Sequence, residues 1–132
     1  MSAVLDTHTI LWYLENSKEL SSAARTTIED AVREARDVYV SAISLVETVY
    51  LVERRRLPLS ALERLRSALA DPNSGLLIAP LDAGVADALP NIPRDVVPDM
   101  PDRIIAATAL RLGLPLVTRD RRLHAAGIQT IW

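Results

Sequence analysis

The chain has 132 residues, of which 49% are hydrophobic and 24% are charged, and its formal net charge is −2. This length suits one domain with a core of its own, and the composition is that of a globular protein rather than a disordered one. The chain contains no cysteine, which excludes disulfides and thiolate metal sites, and no apolar run approaches the roughly 20 residues that span a bilayer. We therefore expect one cytoplasmic domain over residues 1–132, without a membrane partner and with an aliphatic core, because Phe is absent.

The first predicted elements are a buried strand over Ala3–Leu5 and an amphipathic helix that ends near Asn16. The same alternation of short apolar segments and helices continues to the end of the chain. The further predicted strands cover residues 38–40, 76–79, 115–118 and 128–131. The further predicted helices cover residues 21–35, 41–55, 60–70, 82–89, 101–112 and 121–126. This order predicts an α/β protein, a three-layer α/β/α sandwich around a central, mainly parallel sheet.

Local signals predict where some of these elements begin and end. Ser60 and Glu63 form a capping-box pattern at the start of the helix over residues 60–70. Gly113 follows the helix over residues 101–112 and is expected in the left-handed conformation. Residues 90–98 hold three prolines and are expected to be irregular.

Two aspartates stand just beyond predicted strands. Asp6 follows Ala3–Leu5 directly, and Asp120 follows the strand over residues 115–118. Because ligands of parallel sheets bind outside the carboxyl ends of the strands, both carboxylates are expected at one binding edge. The alternative for Asp6 is a structural role as the N-cap of the following helix.

Two further acids are candidates for the same edge. Asp102 lies at the start of a predicted helix, where it also suits the helix dipole, with Asp99 as the cap. Glu47 lies on a mostly apolar helix face, where an unpartnered carboxylate is costly. The alternative for Glu47 is a position at the rim, where the carboxylate reaches water or an arginine.

A cluster of carboxylates at one edge favours a bound cation, because like charges repel unless a cation lies between them. Oxygen ligands select hard ions such as Mg²⁺ or Mn²⁺, whereas zinc is disfavoured by the absence of Cys and the presence of only two His. Such ions suit the hydrolysis of phosphodiester bonds. Positive charge that could position a polyanionic backbone comes from three arginines beside Asp120, namely Arg119, Arg121 and Arg122.

Four segments together resemble the PIN domain, in particular the small VapC-type toxin ribonucleases of bacterial type II toxin–antitoxin pairs. The segments are VLDTHTILWYL, SAISLVETVYL, DMPDRIIAATAL and LPLVTRDRRL. The resemblance implies a metal-dependent endoribonuclease that uses Mg²⁺ or Mn²⁺. It places the family's acidic quartet, catalytic and metal-ligating, on Asp6, Glu47, Asp102 and Asp120. His8 lies outside the quartet, and we expect it to be an ordinary histidine on a helix face rather than a general base.

The resemblance also implies roles for residues around the quartet. Thr7 and Thr118 fall where the family has hydroxyls that orient the acids or bind phosphate, although ordinary turn or strand-end threonines are the alternative. The segment from Asp99 to Arg103 departs from the family's usual pattern because its proline is shifted by one place. We expect Asp102 to face the metal and Asp99 to cap the helix. Arg103 is expected to pair with an acid at the site or to form a surface salt bridge.

The same resemblance implies three partners: an RNA substrate that is single-stranded or looped, a cognate antitoxin, and a second copy in a homodimer. The aliphatic faces of the helices over residues 43–53 and 60–70 are candidate grooves for the antitoxin, and ordinary core is the alternative. Two other functions remain open. One is a PIN-fold module that binds RNA or protein without catalysis. The other is phosphoryl transfer on an aspartate, which needs a lysine near the phosphate, and the only lysine is Lys18 on a predicted loop.

Overall fold

The computed structural model describes all of residues 1–132 and contains five strands and seven α-helices. The strands are β1 (Ala3–Leu5), β2 (Val38–Ser41), β3 (Leu76–Ala79), β4 (Leu116–Val117) and β5 (Thr130–Ile131). The helices are α1 (Thr7–Leu14), α2 (Ser22–Arg33), α3 (Ala42–Glu53), α4 (Leu59–Ala70), α5 (Ala83–Ala88), α6 (Met100–Leu112) and α7 (Arg121–Ala125). Every strand and helix predicted from the sequence is present, with small shifts at the ends. No helix is both long enough and apolar enough to cross a membrane.

The five strands form one sheet in the order β3-β2-β1-β4-β5, and every neighbouring pair is parallel. At the centre, Leu5 of β1 lies opposite Val40 of β2 on one side and Val117 of β4 on the other. The carboxyl ends of these three strands therefore lie side by side. The residues that follow them, Asp6 among them, are brought to a single edge of the sheet.

Helices cover both faces of the sheet, which confirms the predicted three-layer sandwich. Leu5 packs into a cluster with α1, α2 and α4, whereas Val4 packs into a second cluster with α5, α6 and α7. Neighbouring strand residues point to opposite faces, so one short apolar strand supplies both clusters. The buried hydrophobic side chains are all Ala, Val, Leu or Ile, as the composition predicted.

Two expectations about local structure are wrong. Strand β3 is not buried along its length, since Leu77 and Ile78 are each 45% exposed; β3 is an edge strand that pairs only with β2. The capping box at Ser60 does not form either. Helix α4 begins at Leu59, directly after Pro58, which occupies the cap position in an extended conformation and makes no side-chain cap hydrogen bond. Ser60 consequently lies inside the first turn and not before it.

Other local expectations are confirmed. Gly113 ends α6 with φ of +67°, a left-handed conformation that suits glycine. Of the segment predicted to be irregular, residues 92–98 contain neither strand nor α-helix, whereas Pro90 and Asn91 lie in a short 3₁₀ helix over Leu89–Asn91. The helix predicted to begin at residue 41 is capped by Ser41, whose hydroxyl accepts from the backbone N–H of Ile43 at 3.2 Å.

Candidate active site

The four acids singled out from the sequence line one cavity of about 420 Å³ at the carboxyl edge of the sheet. They are Asp6, Glu47, Asp102 and Asp120, and Asp99 is a fifth carboxylate on the same wall. The remaining lining residues are two arginines and two aromatic residues, namely Arg119, Arg122, His8 and Trp12. The fold therefore gathers acids that are far apart in the sequence, because β1, β4, α3 and the start of α6 all reach this edge.

Asp6 serves the fold and the cavity at once. Its Oδ1 accepts the backbone N–H of Thr9 at 2.9 Å and so caps α1, as the structural alternative predicted. Its Oδ2 accepts the hydroxyl of Thr118, which follows β4. Because both carboxylate oxygens have donors, the orientation of Asp6 in the cavity is fixed from two sides.

Glu47 lies in the middle of α3 and is held by Thr7. The hydroxyl of Thr7 donates to Oε1 of Glu47 at 2.6 Å and also lies 2.8 Å from the hydroxyl of Ser44. A hydroxyl carries one proton, so if Thr7 donates to the carboxylate, Ser44 must donate to Thr7. Each threonine that the family resemblance singled out thus contacts one of the acids.

Asp99 and Asp102 have different roles, since one caps a helix and the other is a partly buried acid with a raised pKa. Asp99 caps α6, since its Oδ1 accepts the backbone N–H of Asp102 at 3.1 Å. The side chain of Asp102 is 25% exposed, and its pKa is raised to about 7. Burial is the main cause, followed by the negative charges of the other four acids. Burial and the neighbouring charges therefore both favour the protonated form of Asp102.

Arg122 lies against two of the acids. Its Nε and Nη2 donate to the two carboxylate oxygens of Asp120 at 3.1 and 2.8 Å, which lowers the pKa of Asp120. The same Nη2 lies 3.5 Å from Oδ2 of Asp102. The guanidinium is thus the positive charge that bridges these two carboxylates.

Arg103 and Arg119 contact different kinds of group. Arg103 pairs with no acid, which makes the expectation of an ion pair wrong; it donates to the backbone carbonyls of Leu89 and Ile92 and so ties the irregular segment to α6. Arg119 donates to Glu19 at 2.9 Å, and its guanidinium lies 4.6 Å from the centre of the Trp12 ring.

The carboxylates of the cavity suit a hard divalent cation, although in this structure they contact groups of the protein itself. As the side chains stand, no group of three or more His, Asp or Glu residues converges closely enough to hold a metal ion. The acids instead accept hydrogen bonds from threonines, backbone N–H groups and Arg122. Carboxylate oxygens are the ligands that Mg²⁺ and Mn²⁺ prefer, and a bound cation opposes the burial and the neighbouring negative charges that raise the pKa of Asp102. The residues therefore fit such an ion in their chemistry.

Sequence reasoning missed two parts of this cavity. His8 was expected to be an ordinary helix-face residue, and Trp12 was not singled out, yet both line the cavity. Their spacing is the signal that could have found them, because residues one helical turn apart share a face, and Asp6 places the start of α1 at the site. The bridging position of Arg122 depends on the approach of its side chain to Asp102, 20 residues away in the sequence, which the sequence pattern does not show.

Fold and cavity together define a class: α/β/α sandwich proteins whose parallel sheet gathers acids at its carboxyl edge. A family model, the PIN domain, matches residues 3–128. The chain is also 36% identical over 126 residues to Ribonuclease VapC22 of Mycobacterium tuberculosis. The matched region covers 94% of this chain and 91% of that protein. The chain belongs to the PIN-domain family, as its four motifs predicted.

Solved structures agree with the fold. VapBC2 from Rickettsia felis, bound to a DNA fragment from their promoter, superposes with a TM-score of 0.73 at 16% identity, covering 98% of this chain and 97% of that one. A toxin–antitoxin complex from Klebsiella pneumoniae gives a TM-score of 0.61 at 23% identity, covering 93% and 90%. At these identities the likeness concerns the fold.

Proposed function

We propose that this protein is a divalent-metal-dependent endoribonuclease that cuts single-stranded or looped RNA, and that it is the toxin of a toxin–antitoxin pair acting in the cytoplasm. The observation that carries the proposal is that five carboxylates line one cavity, with the pKa of Asp102 raised to about 7. The 36% identical relative is named a ribonuclease, which supports the choice of substrate. This reaction is preferred over phosphoryl transfer on Asp6 because the only lysine, Lys18, is not among the residues that line the cavity.

In this proposal Mg²⁺ or Mn²⁺ is held by the acidic quartet, namely Asp6, Glu47, Asp102 and Asp120. Such an ion, when bound, activates water and stabilises the leaving oxygen of a phosphodiester. The chain itself supplies orientation and proton balance. Thr7 and Thr118 hold the carboxylates of Glu47 and Asp6 in place. Asp102, whose pKa is about 7, releases its carboxyl proton when the site gains positive charge.

Positive side chains at the cavity have a separate role in the proposal. Arg119 and Arg122 lie on its wall and are exposed to solvent. Guanidinium groups match the geometry of phosphate oxygens, so these two residues position the RNA backbone over the acids. Binding through phosphates carries no sequence information, and the affinity for RNA is expected to fall steeply with salt.

The proposed antitoxin docks on α3 and α4. Both helices expose apolar side chains, with Val46 60%, Tyr50 52% and Leu59 56% exposed, and an amphipathic segment could cover these residues. The structural neighbours include a toxin–antitoxin complex, which supports a protein partner of this kind. The family resemblance further proposes a homodimer. Co-purification with the product of an adjacent reading frame and mass measurement in solution test both points, and a monomer without such a partner would contradict them.

The decisive experiment measures cleavage of a mixed RNA pool in Mg²⁺, Mn²⁺ and EDTA. Asp6→Asn is the informative variant because the amide oxygen of Asn still caps α1 and its NH₂ can donate to the hydroxyl of Thr118, while the ligand charge is lost. Asp82→Asn is its matched control, since Asp82 caps α5 through the N–H of Val85 at 3.0 Å and does not line the cavity. Glu47→Gln tests the second acid.

We expect metal-dependent cleavage that is lost in Asp6→Asn and Glu47→Gln and unchanged in Asp82→Asn. RNA binding without cleavage by the wild type would favour a non-catalytic module. Equal cleavage by all four proteins would point to a contaminating nuclease and would leave the acidic quartet without support.

A further inference from the structure

The cavity that holds the acids is also lined by two aromatic rings, which are tilted 42° to each other. His8 and Trp12 lie one turn apart on α1 with their ring centres 5.5 Å from each other. The guanidinium of Arg119 lies 4.6 Å from the centre of the Trp12 ring. We call these three residues, His8, Trp12 and Arg119, the stacking wall. All three line the same cavity as the acids, although the acidic chemistry uses neither aromatic ring.

Two residues of the stacking wall, Trp12 and Arg119, are held in place by contacts with the rest of the protein. Trp12 is half-buried and packs on Trp132, with ring centres 5.9 Å apart and an angle of 59° between the rings. Both tryptophans pack against the core cluster under α1. Arg119 is held over Trp12 by its ion pair with Glu19. The Trp12 ring is therefore held by packing against Trp132 and the core, and it also borders the cavity, as does the exposed ring of His8.

We propose that the stacking wall binds the nucleobase next to the phosphate that is cut, which makes His8, Trp12 and Arg119 substrate-positioning residues. The inference rests on the proposed ribonuclease function and names how that site holds its substrate. Aromatic rings and guanidinium planes are the surfaces on which unpaired bases stack in RNA-binding proteins. Because wall and acids share one cavity of about 420 Å³, the stacked base and the scissile phosphate belong to the same or neighbouring nucleotides.

Stacking on this wall has consequences for substrate choice. A base inside a duplex is already stacked and paired, so only an unpaired base can stack on this wall without the cost of unstacking. Every base has a π-face, so the wall selects unpaired nucleotides and larger rings rather than a particular sequence. The contact is made in the ground state, and its loss is therefore expected to raise KM more than it lowers kcat.

The test pairs a protein variant with an altered substrate. The cleavage position in a short RNA is first mapped with the wild type, and the bases on either side are then removed one at a time by abasic substitution. We expect one abasic position to raise KM for the wild type by about 5- to 100-fold, the range of a lost base–aromatic stack. Trp12→Ala is expected to do the same on intact RNA, whereas Trp12→Phe retains most of the affinity.

The decisive measurement combines the Trp12→Ala variant with the abasic RNA. If base and ring contact each other, the abasic RNA costs Trp12→Ala nothing further, because the contact is already lost. Multiplying effects, or no effect of either change, would overturn the proposal even if RNA is cleaved. The measurement with abasic RNA uses the wild-type protein, so it still tests the proposal if Trp12→Ala does not fold. His8→Phe against His8→Ala separates a stacking ring, which Phe replaces, from a proton-carrying one, which it does not.

A binding measurement separates this inference from the proposed catalysis. The chain has two tryptophans, so Trp132→Phe leaves Trp12 as the only one, and Trp12→Phe leaves Trp132. In an Asp6→Asn background, which keeps RNA intact, we expect an oligoadenylate of about eight nucleotides to quench Trp12 fluorescence but not that of Trp132. Quenching without cleavage by the wild type would count against the nuclease alone. Cleavage without quenching of Trp12 would count against the stacking wall alone.

Discussion

Thr7 donates a 2.6 Å hydrogen bond to Glu47 across 40 residues of sequence and so joins the first turn of α1 to the middle of α3. Ser44 lies 2.8 Å from the same hydroxyl, and Thr7 and Ser44 are almost fully buried. A buried chain of three polar side chains therefore ends on a carboxylate at the cavity wall. Glu47 is oriented by the fold and not by solvent.

Replacing Thr7 by Val keeps its shape and removes its hydroxyl. We expect the free energy of unfolding to fall by about 1–3 kcal/mol, because Ser44 and Glu47 each lose a partner inside the protein. We expect cleavage to fall by about 10- to 100-fold, the usual cost of losing a group that orients a ligand. Thr7→Ser keeps the hydroxyl and should retain both properties. Urea unfolding and initial cleavage rates measure the two effects, and equal rates for the Val and Ser variants would show that Thr7 does not position Glu47.

Asp102 is expected to make stability depend on pH. Its pKa is raised from 3.8 to about 7 in the folded protein, so between these values the folded state holds a proton that the unfolded state has lost. Stability therefore falls as the pH rises from about 4 to about 7 and is level above this window. The loss comes from a charged carboxylate forced into a partly buried site among four other acids.

Asp102→Asn removes that charge and should remove its share of the pH dependence. With EDTA present, we expect the variant to gain about 2 kcal/mol over the wild type at about pH 8, after discounting for solvent screening, and little at about pH 4. Urea unfolding of both proteins across this range measures the difference. A constant offset between the two curves would mean that Asp102 does not titrate near neutrality.

Arg122 and a divalent cation compete for the same carboxylates in our proposal. Its guanidinium donates to both oxygens of Asp120 and approaches Asp102. We expect Arg122→Gln to tighten Mn²⁺ binding by up to about 5-fold, since an exposed ion pair is worth up to about 1 kcal/mol. The same variant should raise the KM for RNA, because a phosphate-binding cation is lost.

Arg121→Gln is the control for Arg122, since Arg121 is its exposed neighbour and forms no ion pair. It removes the same charge without freeing a carboxylate, so Mn²⁺ affinity should change little. Calorimetric titration with Mn²⁺ measures both variants. Identical affinities would show that the pairing of Arg122 with Asp120 does not oppose metal binding.

The sequence was sufficient for the order of elements and for the acids of the cavity. Buried parallel strands are short apolar runs, and Asp6 and Asp120 stand directly beyond two of them, so the shared edge follows from the chain direction. The order of the strands was not readable, because it depends on pairing between distant segments. This is why β3 was expected to be buried although Leu77 and Ile78 are largely exposed at the sheet edge.

In the cavity, too, a contact between neighbouring residues was predicted, whereas contacts between distant residues were not. The cap role of Asp99 was predicted because it depends on three neighbouring residues. The contacts of Arg103 with the carbonyls of Leu89 and Ile92 were not, because an irregular segment has no periodicity to read. Thr118 reaches Asp6 across 112 residues, a contact that only the strand order creates.

The two serines at helix starts provide a last prediction about local sequence signals. Ser21 caps α2, with its hydroxyl accepting the N–H of Ala24 at 3.0 Å. Ser60 stands three residues before Glu63, a capping-box pattern in the sequence, yet it lies within the first turn of α4, after Pro58. We expect Ser21→Ala to lower the free energy of unfolding by about 1 kcal/mol. Ser60→Ala should be neutral or slightly stabilising, since alanine has the higher helix propensity.

The matched pair separates position from residue type, because both variants remove one exposed or half-exposed hydroxyl from the start of a helix. Urea unfolding of the two variants beside the wild type measures the difference. A loss at Ser60 as large as that at Ser21 would mean that α4 begins later in solution and that the capping box forms after all. A difference of about 1 kcal/mol would instead show that Pro58 alone sets the start of α4, because its fixed φ and extended ψ of 152° prepare the turn without a side-chain cap.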